Sequence, residues 1–172
     1  GGVLKGIMSL MPDGFHFPII NGTSAGAINA VVLASHAKNQ VHGVKRLEHF
    51  WSTIHCADVY RTDSWTITRT LGRVFGSLLF GRFGVKPPRS LLDNRPLAEL
   101  LNRELHLEKI QPAIDAGALK GLSITASSYD TAIAKCFYQA DETPIPWHRT
   151  RRVGFSEDIT VEHIMASTAL PF

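Results

Sequence analysis

Gly22-Thr23-Ser24-Ala25-Gly26 is the segment that most restricts what this chain can fold into. It lies between an apolar run, Phe15 to Ile20, and a stretch of small and aliphatic residues, AGAINAVVLASHA, from Ala25 to Ala37. The first run is rich in aromatic and β-branched residues and predicts a short buried strand, with Pro18 tolerated only near an edge or strand start and Asn21-Gly22 as the turn. The second is apolar on all sides, which predicts a helix buried against a sheet rather than one lying on the surface. Strand, tight turn and buried helix in that order put Ser24 on a sharp bend. The residues two before and two after it must then be small so that strand and helix can pack, and both Gly22 and Gly26 are expected to serve that purpose.

The rest of the chain supplies the partners such a unit needs. Val3, Leu4, Ile7, Met8, Leu10 and Met11 approximate helical spacing and predict a short first helix stopped by Pro12-Asp13-Gly14. Val44 to Thr53 predicts an amphipathic helix with Val44, Leu47, Phe50 and Trp51 on its apolar face. Asp93-Asn94-Arg95-Pro96 reads as a helix start, with Asp93 or Asn94 as cap, leading to a stripe of Leu97, Leu100, Leu101 and Leu105. A further short helix runs from Ile110 and is closed by Gly117. Leu122 to Tyr129 and Ile133 to Gln139 predict two strands joined at Asp130-Thr131, antiparallel pairing being the simplest arrangement, with Leu122, Ile124 and Ala126 toward the core. Thr160 is placed to cap a last helix containing Val161, Ile164, Met165 and Ala169, ended by Pro171. Helices and strands in this order predict one α/β domain over residues 1–172, a central sheet flanked by helices.

Composition excludes several classes of function. In 172 residues, 44% hydrophobic and 19% charged residues describe an ordinary globular interior, not a disordered chain. No apolar run approaches the roughly 18 to 20 residues of a membrane-spanning helix. Cys56 and Cys136 stand apart with no Cys/His cluster, so neither a disulfide framework nor a metal site is expected, and both read as buried thiols. A net charge of +3 with dispersed cations does not imply nucleic acid. The exception is residues 61–89, where Arg61, Arg69, Arg73, Arg82, Lys86 and Arg89 face only Asp63 and are interleaved with Trp65, Phe75, Leu78, Leu79, Phe80 and Phe83. That stretch reads either as a flap on anionic lipid or as a helical excursion on the core, with burial of most of its aromatics favoured. No secretory signal is visible, which suggests a cytoplasmic location with peripheral membrane contact. Gly1-Gly2-Val3 begins inside a helical pattern and Leu170-Pro171-Phe172 ends without a polar tail, so clipping at both ends is expected.

Ser24 is the candidate for chemistry. A serine on a strained strand-to-helix turn presents its Oγ outward, and the amides of the following helix, beginning with that of Ala25, offer donors and a favourable dipole to an oxyanion. A base is harder to find. His36, His42, His49, His55, His106, His148 and His163 all follow Ser24, but none sits in a convincing loop signature, and His36 lies about 18 Å along the same helix. The histidines are therefore read as surface or structural residues. Asp13-Gly14 precedes the bend in a helix-to-strand connection and reads as a turn. The plainer alternative makes Ser24 only a helix N-cap in a structural partner.

These residues resemble the patatin-like phospholipase family in its bacterial form. PIINGTSAGAINA at Pro18 to Ala30 is similar to the family's nucleophile elbow, and GVLKGI at Gly2 to Ile7 to the helix after its Gly-rich oxyanion loop. PRSLLDN at Pro88 to Asn94, LSITASSY at Leu122 to Tyr129 and ASTALPF at Ala166 to Phe172 are similar to later blocks. The resemblance implies a three-layer α/β fold and a serine acyl hydrolase acting on lipids or other hydrophobic esters, without cofactor or metal. It also implies a Ser-Asp dyad with Ser24 as nucleophile, its Asp coming from an Asp-Gly motif after the ASTALPF block and so outside residues 1–172. A catalytically silent lipid-binding or membrane-surface module is the alternative.

Overall fold

A computed structural model of the chain describes residues 2–11, 14–54, 95–141 and 146–169. Helix α1 (Gly2–Leu10) is followed by strand β1 (Ile19–Thr23), helix α2 (Ala25–Ser35) and helix α3 (Gln40–Thr53). Then come α4 (Arg95–Glu104), α5 (Ile110–Asp115), the strands β2 (Gly121–Ser128), β3 (Ile133–Ala140), β4 (Trp147–Arg149) and β5 (Arg152–Ser156), and α6 (Val161–Thr168). The strands form one mixed sheet in the order β1-β2-β3-β5-β4. β1 runs parallel to β2 from Ile19 opposite Gly121 to Thr23 opposite Thr125, β2 and β3 are antiparallel, β3 and β5 parallel, and β4 and β5 antiparallel. The α/β class, with a sheet flanked by helices, is as the sequence indicates.

The layers follow from where the apolar residues fall. Leu122, Ile124 and Ala126 alternate along β2 onto the face covered by α2 and α6, and all three are buried. α2 is buried from Ala27 to Ser35 apart from Asn29, because β1 and β2 lie against it and α3 and α5 cover it from elsewhere. A helix with no polar face is stable only in such a place. On α4 the leucine stripe is buried at Leu97, Leu100 and Leu101, with Leu105 just beyond the helix, and Pro96 occupies the first turn. α1 and α3 pack on the core through Leu4 and Met8 and through Val44, Leu47 and Phe50, and the exposed pair of Lys5 Nζ with Glu48 Oε1 at 2.9 Å adds little to this.

The structure corrects the sequence reading at several points. The strand predicted over Phe15 to Ile20 is displaced toward the C-terminus, and Asn21-Gly22 is strand, not turn. The cause is local. The Gln40 side chain takes both backbone groups of Phe17, accepting from its N–H at 2.7 Å and donating to its carbonyl at 2.9 Å, while the Pro18 carbonyl accepts from Lys120 and Gly121. With both Phe17 groups taken by Gln40 and no N–H on Pro18, the Pro18 carbonyl is the first group of this segment to bond β2, and paired residues start at Ile19. Phe15 and Phe17 pack on the core from a loop. α2 stops at Ser35 and a 3-10 turn (Ala37–Asn39) replaces its predicted end. α3 starts earlier than expected because Asn39 caps it, its side chain accepting from the His42 amide at 3.0 Å. Trp51 does not join the apolar face of α3: it is 41% exposed and donates from Nε1 to Asn29 Oδ1 at 2.7 Å. Cys136 is half-buried on β3 rather than enclosed. The β4–β5 hairpin was not foreseen; its turn is closed by Arg151 at φ 59°, and Gly154 gives room for the Trp147 ring opposite. Asp13, Cys56, His55, residues 61–89, the Asp93 or Asn94 cap and Pro171 lie outside the described residues.

The two glycines of the bend turn out to be unequal. A Cβ on Gly22 would fall onto the Gly26 carbonyl oxygen and within 2.7 Å of both Ala27 Cα and Ala30 Cβ, whereas a Cβ on Gly26 meets nothing within 4 Å among the described residues. Among the described residues, only Gly22 therefore has the packing task expected of both. Gly22→Ala should destabilise the protein by roughly 1–3 kcal/mol or more, because backbone must move to admit a methyl group. Gly26→Ala should be neutral or stabilising by up to about 1 kcal/mol through helix propensity. Thermal or urea denaturation of the two variants measures the contrast, and equal losses would contradict it.

Candidate active site at the strand-to-helix bend

Ser24 is the single residue between β1 and α2. It stands at φ 55° and ψ −130°, a region L-residues rarely occupy, where strain of order 1–3 kcal/mol is stored. The strand must end on the sheet while the helix begins over it, and Gly22 lets the two approach so closely that one residue has to make the reversal. Ser24 and Ala25 are both exposed at the resulting corner.

The N-cap alternative for Ser24 can be judged on geometry. Ser24 does occupy the N-cap position, yet its side chain makes no capping hydrogen bond to the first turn of α2. Its carbonyl accepts from Ala27 N at 2.8 Å, so the backbone starts the helix while the hydroxyl has no hydrogen-bond partner among the described residues. Among the described residues, the amides of Ala25 and Gly26 donate to no group. These are the free N-terminal donors of an eleven-residue helix, next to the serine hydroxyl, with the dipole adding partial positive charge. Thr23, the last residue of β1, is exposed and opposite Thr125.

One contact was not anticipated. The backbone N–H of Ser24 donates to Ser167 Oγ at 2.8 Å, and that hydroxyl donates in turn to the Thr125 carbonyl at 2.6 Å. Ser167 lies in α6, 9% exposed. It belongs to the ASTALPF block, so its presence in that block was the only hint in the sequence, and a link over more than 140 residues has no local signature.

The described histidines after Ser24 either have contacts of their own or lie on the surface. His36 ends α2, its Nδ1 within 2.9 Å of the Val32 carbonyl and 3.1 Å of Ser35 Oγ, with the rings of His42 and His106 close by. Burial pulls its pKa below the ordinary value; the Val32 hydrogen bond opposes this, while His42, Lys109 and His106 reinforce it. His163 sits in the first turn of α6, accepts at Nδ1 from Thr160 N at 3.1 Å and stacks on Phe137. His148 is exposed on β4 and His49 on α3. Among the described residues no side chain hydrogen-bonds to Ser24 Oγ. Gly14 adopts φ 96°, a conformation that glycine takes without strain, and its N–H donates to the Met11 carbonyl at 3.0 Å.

The strained turn can be measured without any substrate. Glycine adopts the Ser24 conformation without Cβ strain, whereas alanine keeps the Cβ. Ser24→Gly should therefore be more stable than Ser24→Ala by about 1 kcal/mol, even though glycine loses more entropy on folding. Denaturation midpoints of the pair test this, and the reverse order would mean that the bend is relaxed.

No curated protein and no solved structure matches the chain. A family model described as patatin-like phospholipase matches residues 1–172. The α/β architecture, with its mixed five-stranded sheet and flanking helices, agrees with the three-layer fold that this match carries, and the match supports lipid acyl hydrolysis as the general class of activity. By its sequence over residues 1–172, and in keeping with its fold, the chain belongs to the patatin-like phospholipase family.

Proposed function

We propose that the protein is a serine acyl hydrolase cleaving fatty acyl esters of lipids, with Ser24 as its nucleophile. The observation that carries this reading is the Ser24 geometry: a strained residue whose hydroxyl makes no capping bond and has no partner among the described residues, set directly before helix amides that likewise have no described partner. Ser24 Oγ attacks the ester carbonyl and the oxyanion is held by amides that include Ala25 N–H. The alcohol then leaves with a proton, and water releases the fatty acid from the acyl-serine. The base is an Asp working with Ser24 as a dyad, supplied from outside residues 1–172. The structural positions of His36 and His163 favour a dyad over a histidine triad. No metal or cofactor is assigned a role in these steps.

In the full-length protein, Ser24→Ala should lower ester hydrolysis by as much as about 10⁶-fold, the order seen when an acyl-transfer nucleophile is lost. Substitution of His36 or His163 by alanine should leave Ser24-dependent turnover in place. Turnover of a short-chain ester by the variants measures both. A folded histidine variant as inactive as Ser24→Ala would replace the dyad with a triad. Full activity in Ser24→Ala would place the nucleophile on another residue, and no ester turnover by the full-length wild type would leave the non-catalytic lipid-binding module as the better account.

Membrane-surface contact through residues 61–89 belongs to the same proposal and rests on their charge pattern, six cations and one anion among aromatic residues. The protein should adsorb to vesicles containing anionic lipid more than to neutral ones, and salt should reduce the difference because the Debye length shortens to about 3 Å at 1 M. Sedimentation with vesicles at two salt concentrations is the measurement. Equal, salt-insensitive binding to both kinds would assign the stretch to the core.

A further inference from the structure

Ser167 places a buried hydroxyl on α6 against the strand-to-helix bend. Its oxygen accepts from Ser24 N–H at 2.8 Å and gives its own proton to the Thr125 carbonyl at 2.6 Å, so donor and acceptor roles are both fixed. Thr125 is the last partner of β1 on β2, paired with Thr23, and Ser24 is the first residue past the strand. The hydroxyl of Ser167 thus bridges β1 and β2 at the point where the regular ladder ends and the chain reverses. α6, which carries Ser167, packs on β2 and α2 and is itself anchored by buried Val161 and Ile164. Three elements distant in sequence meet at one oxygen.

We infer that Ser167 is a positioning residue for the acyl-transfer reaction, holding the Ser24 peptide in its positive-φ conformation so that Oγ and the Ala25 amide address the same carbonyl. The inference rests on the reading of Ser24 as nucleophile. Its physical basis is that a strained conformation persists only when its surroundings over-determine it. The Ser24 side chain makes no capping bond, and its N–H lies beyond the paired residues of β1. The contact with Ser167 is what ties that N–H down. Without the hydroxyl, the part-buried N–H and the Thr125 carbonyl lose this partner together, and rotation of the Thr23–Ser24 peptide toward a relaxed conformation swings Oγ away from the helix N-terminus. Ser167 does not touch the substrate and transfers no proton in this account.

The test uses the full-length protein and a fluorophosphonate, which forms a covalent adduct with an activated serine, in wild type, Ser24→Ala, Ser167→Ala, Ser167→Cys and Ser167→Thr. Wild type should be labelled and Ser24→Ala should not. Ser167→Ala should label about 10- to 100-fold more slowly, the loss falling on kcat for a short ester rather than on KM, since an unpaired polar group and a displaced reacting atom act on the chemical step. Ser167→Cys is a slightly larger replacement with a weak donor and acceptor, so it should be slow even where its thermal midpoint equals that of wild type. Ser167→Thr restores the hydroxyl and should recover most of the lost rate. If Ser167→Ala fails to fold, the Cys and Thr pair decides alone. Ser167→Cys labelling as fast as wild type, or rates that follow thermal midpoints instead of the hydroxyl, would overturn the inference while leaving Ser24 as nucleophile. Failure to label wild type at Ser24 would remove the functional reading itself.

Discussion

β1 and α2 touch where Gly22 has no side chain, and the architecture of the site depends on that contact. The Gly26 carbonyl, Ala27 Cα and Ala30 Cβ fill the space a Cβ would need. Because strand and helix are so close, the reversal between them falls on one residue, and that residue must leave the ordinary regions of backbone space. Ser24 does so at φ 55°. Packing energy from the buried α2, which contributes Ala27, Val31 and Ala34 with no exposed surface, is what the strain is set against. A fold of this kind places a hydroxyl at a helix N-terminus as a consequence of close packing, before any question of chemistry arises.

The sheet extends the same logic. β1 is anchored along its length by parallel pairing with β2, and β2 is in turn fixed by the full antiparallel ladder with β3. Residues that lie on the helix side of β2 are buried and apolar, while Ser123 and Thr125 alternate to the other side, where Ser123 Oγ accepts from Asn21 Nδ2 at 2.7 Å. The end of the β1–β2 ladder is therefore a fixed point in the molecule. A short helix, α6, brings one buried hydroxyl to it.

How much of this the sequence discloses depends on the range of the interactions involved. The order strand, bend, buried helix is legible because it is written in consecutive residues, and so are β2, β3 and the leucine stripe of α4, each matching its predicted bounds within a residue or two. The exact start of β1 is not legible, since it is decided by Gln40 reaching back to Phe17 across 23 positions. The exposure of Trp51 likewise depends on Asn29 of a neighbouring helix. Gly22 and Gly26 look equivalent in a motif, yet one faces the strand-helix contact and the other does not, a distinction only three dimensions make. Ser24 was identifiable from its neighbours, whereas Ser167 reaches it from the far end of the chain and has no pattern that points to it. The family resemblance carried by PIINGTSAGAINA extends over the whole of residues 1–172.

The central claim is that close packing creates a strained Ser24 whose hydroxyl and neighbouring amide act on one carbonyl. A crystal structure of the full-length protein after reaction with an alkyl phosphonate tests it most directly, because the adduct mimics the tetrahedral oxyanion. The account predicts phosphorus bonded to Ser24 Oγ, a phosphonyl oxygen within hydrogen-bond distance of Ala25 N, and Ser24 still at positive φ. An adduct on a different residue, or a phosphonyl oxygen turned away from the start of α2, would contradict it.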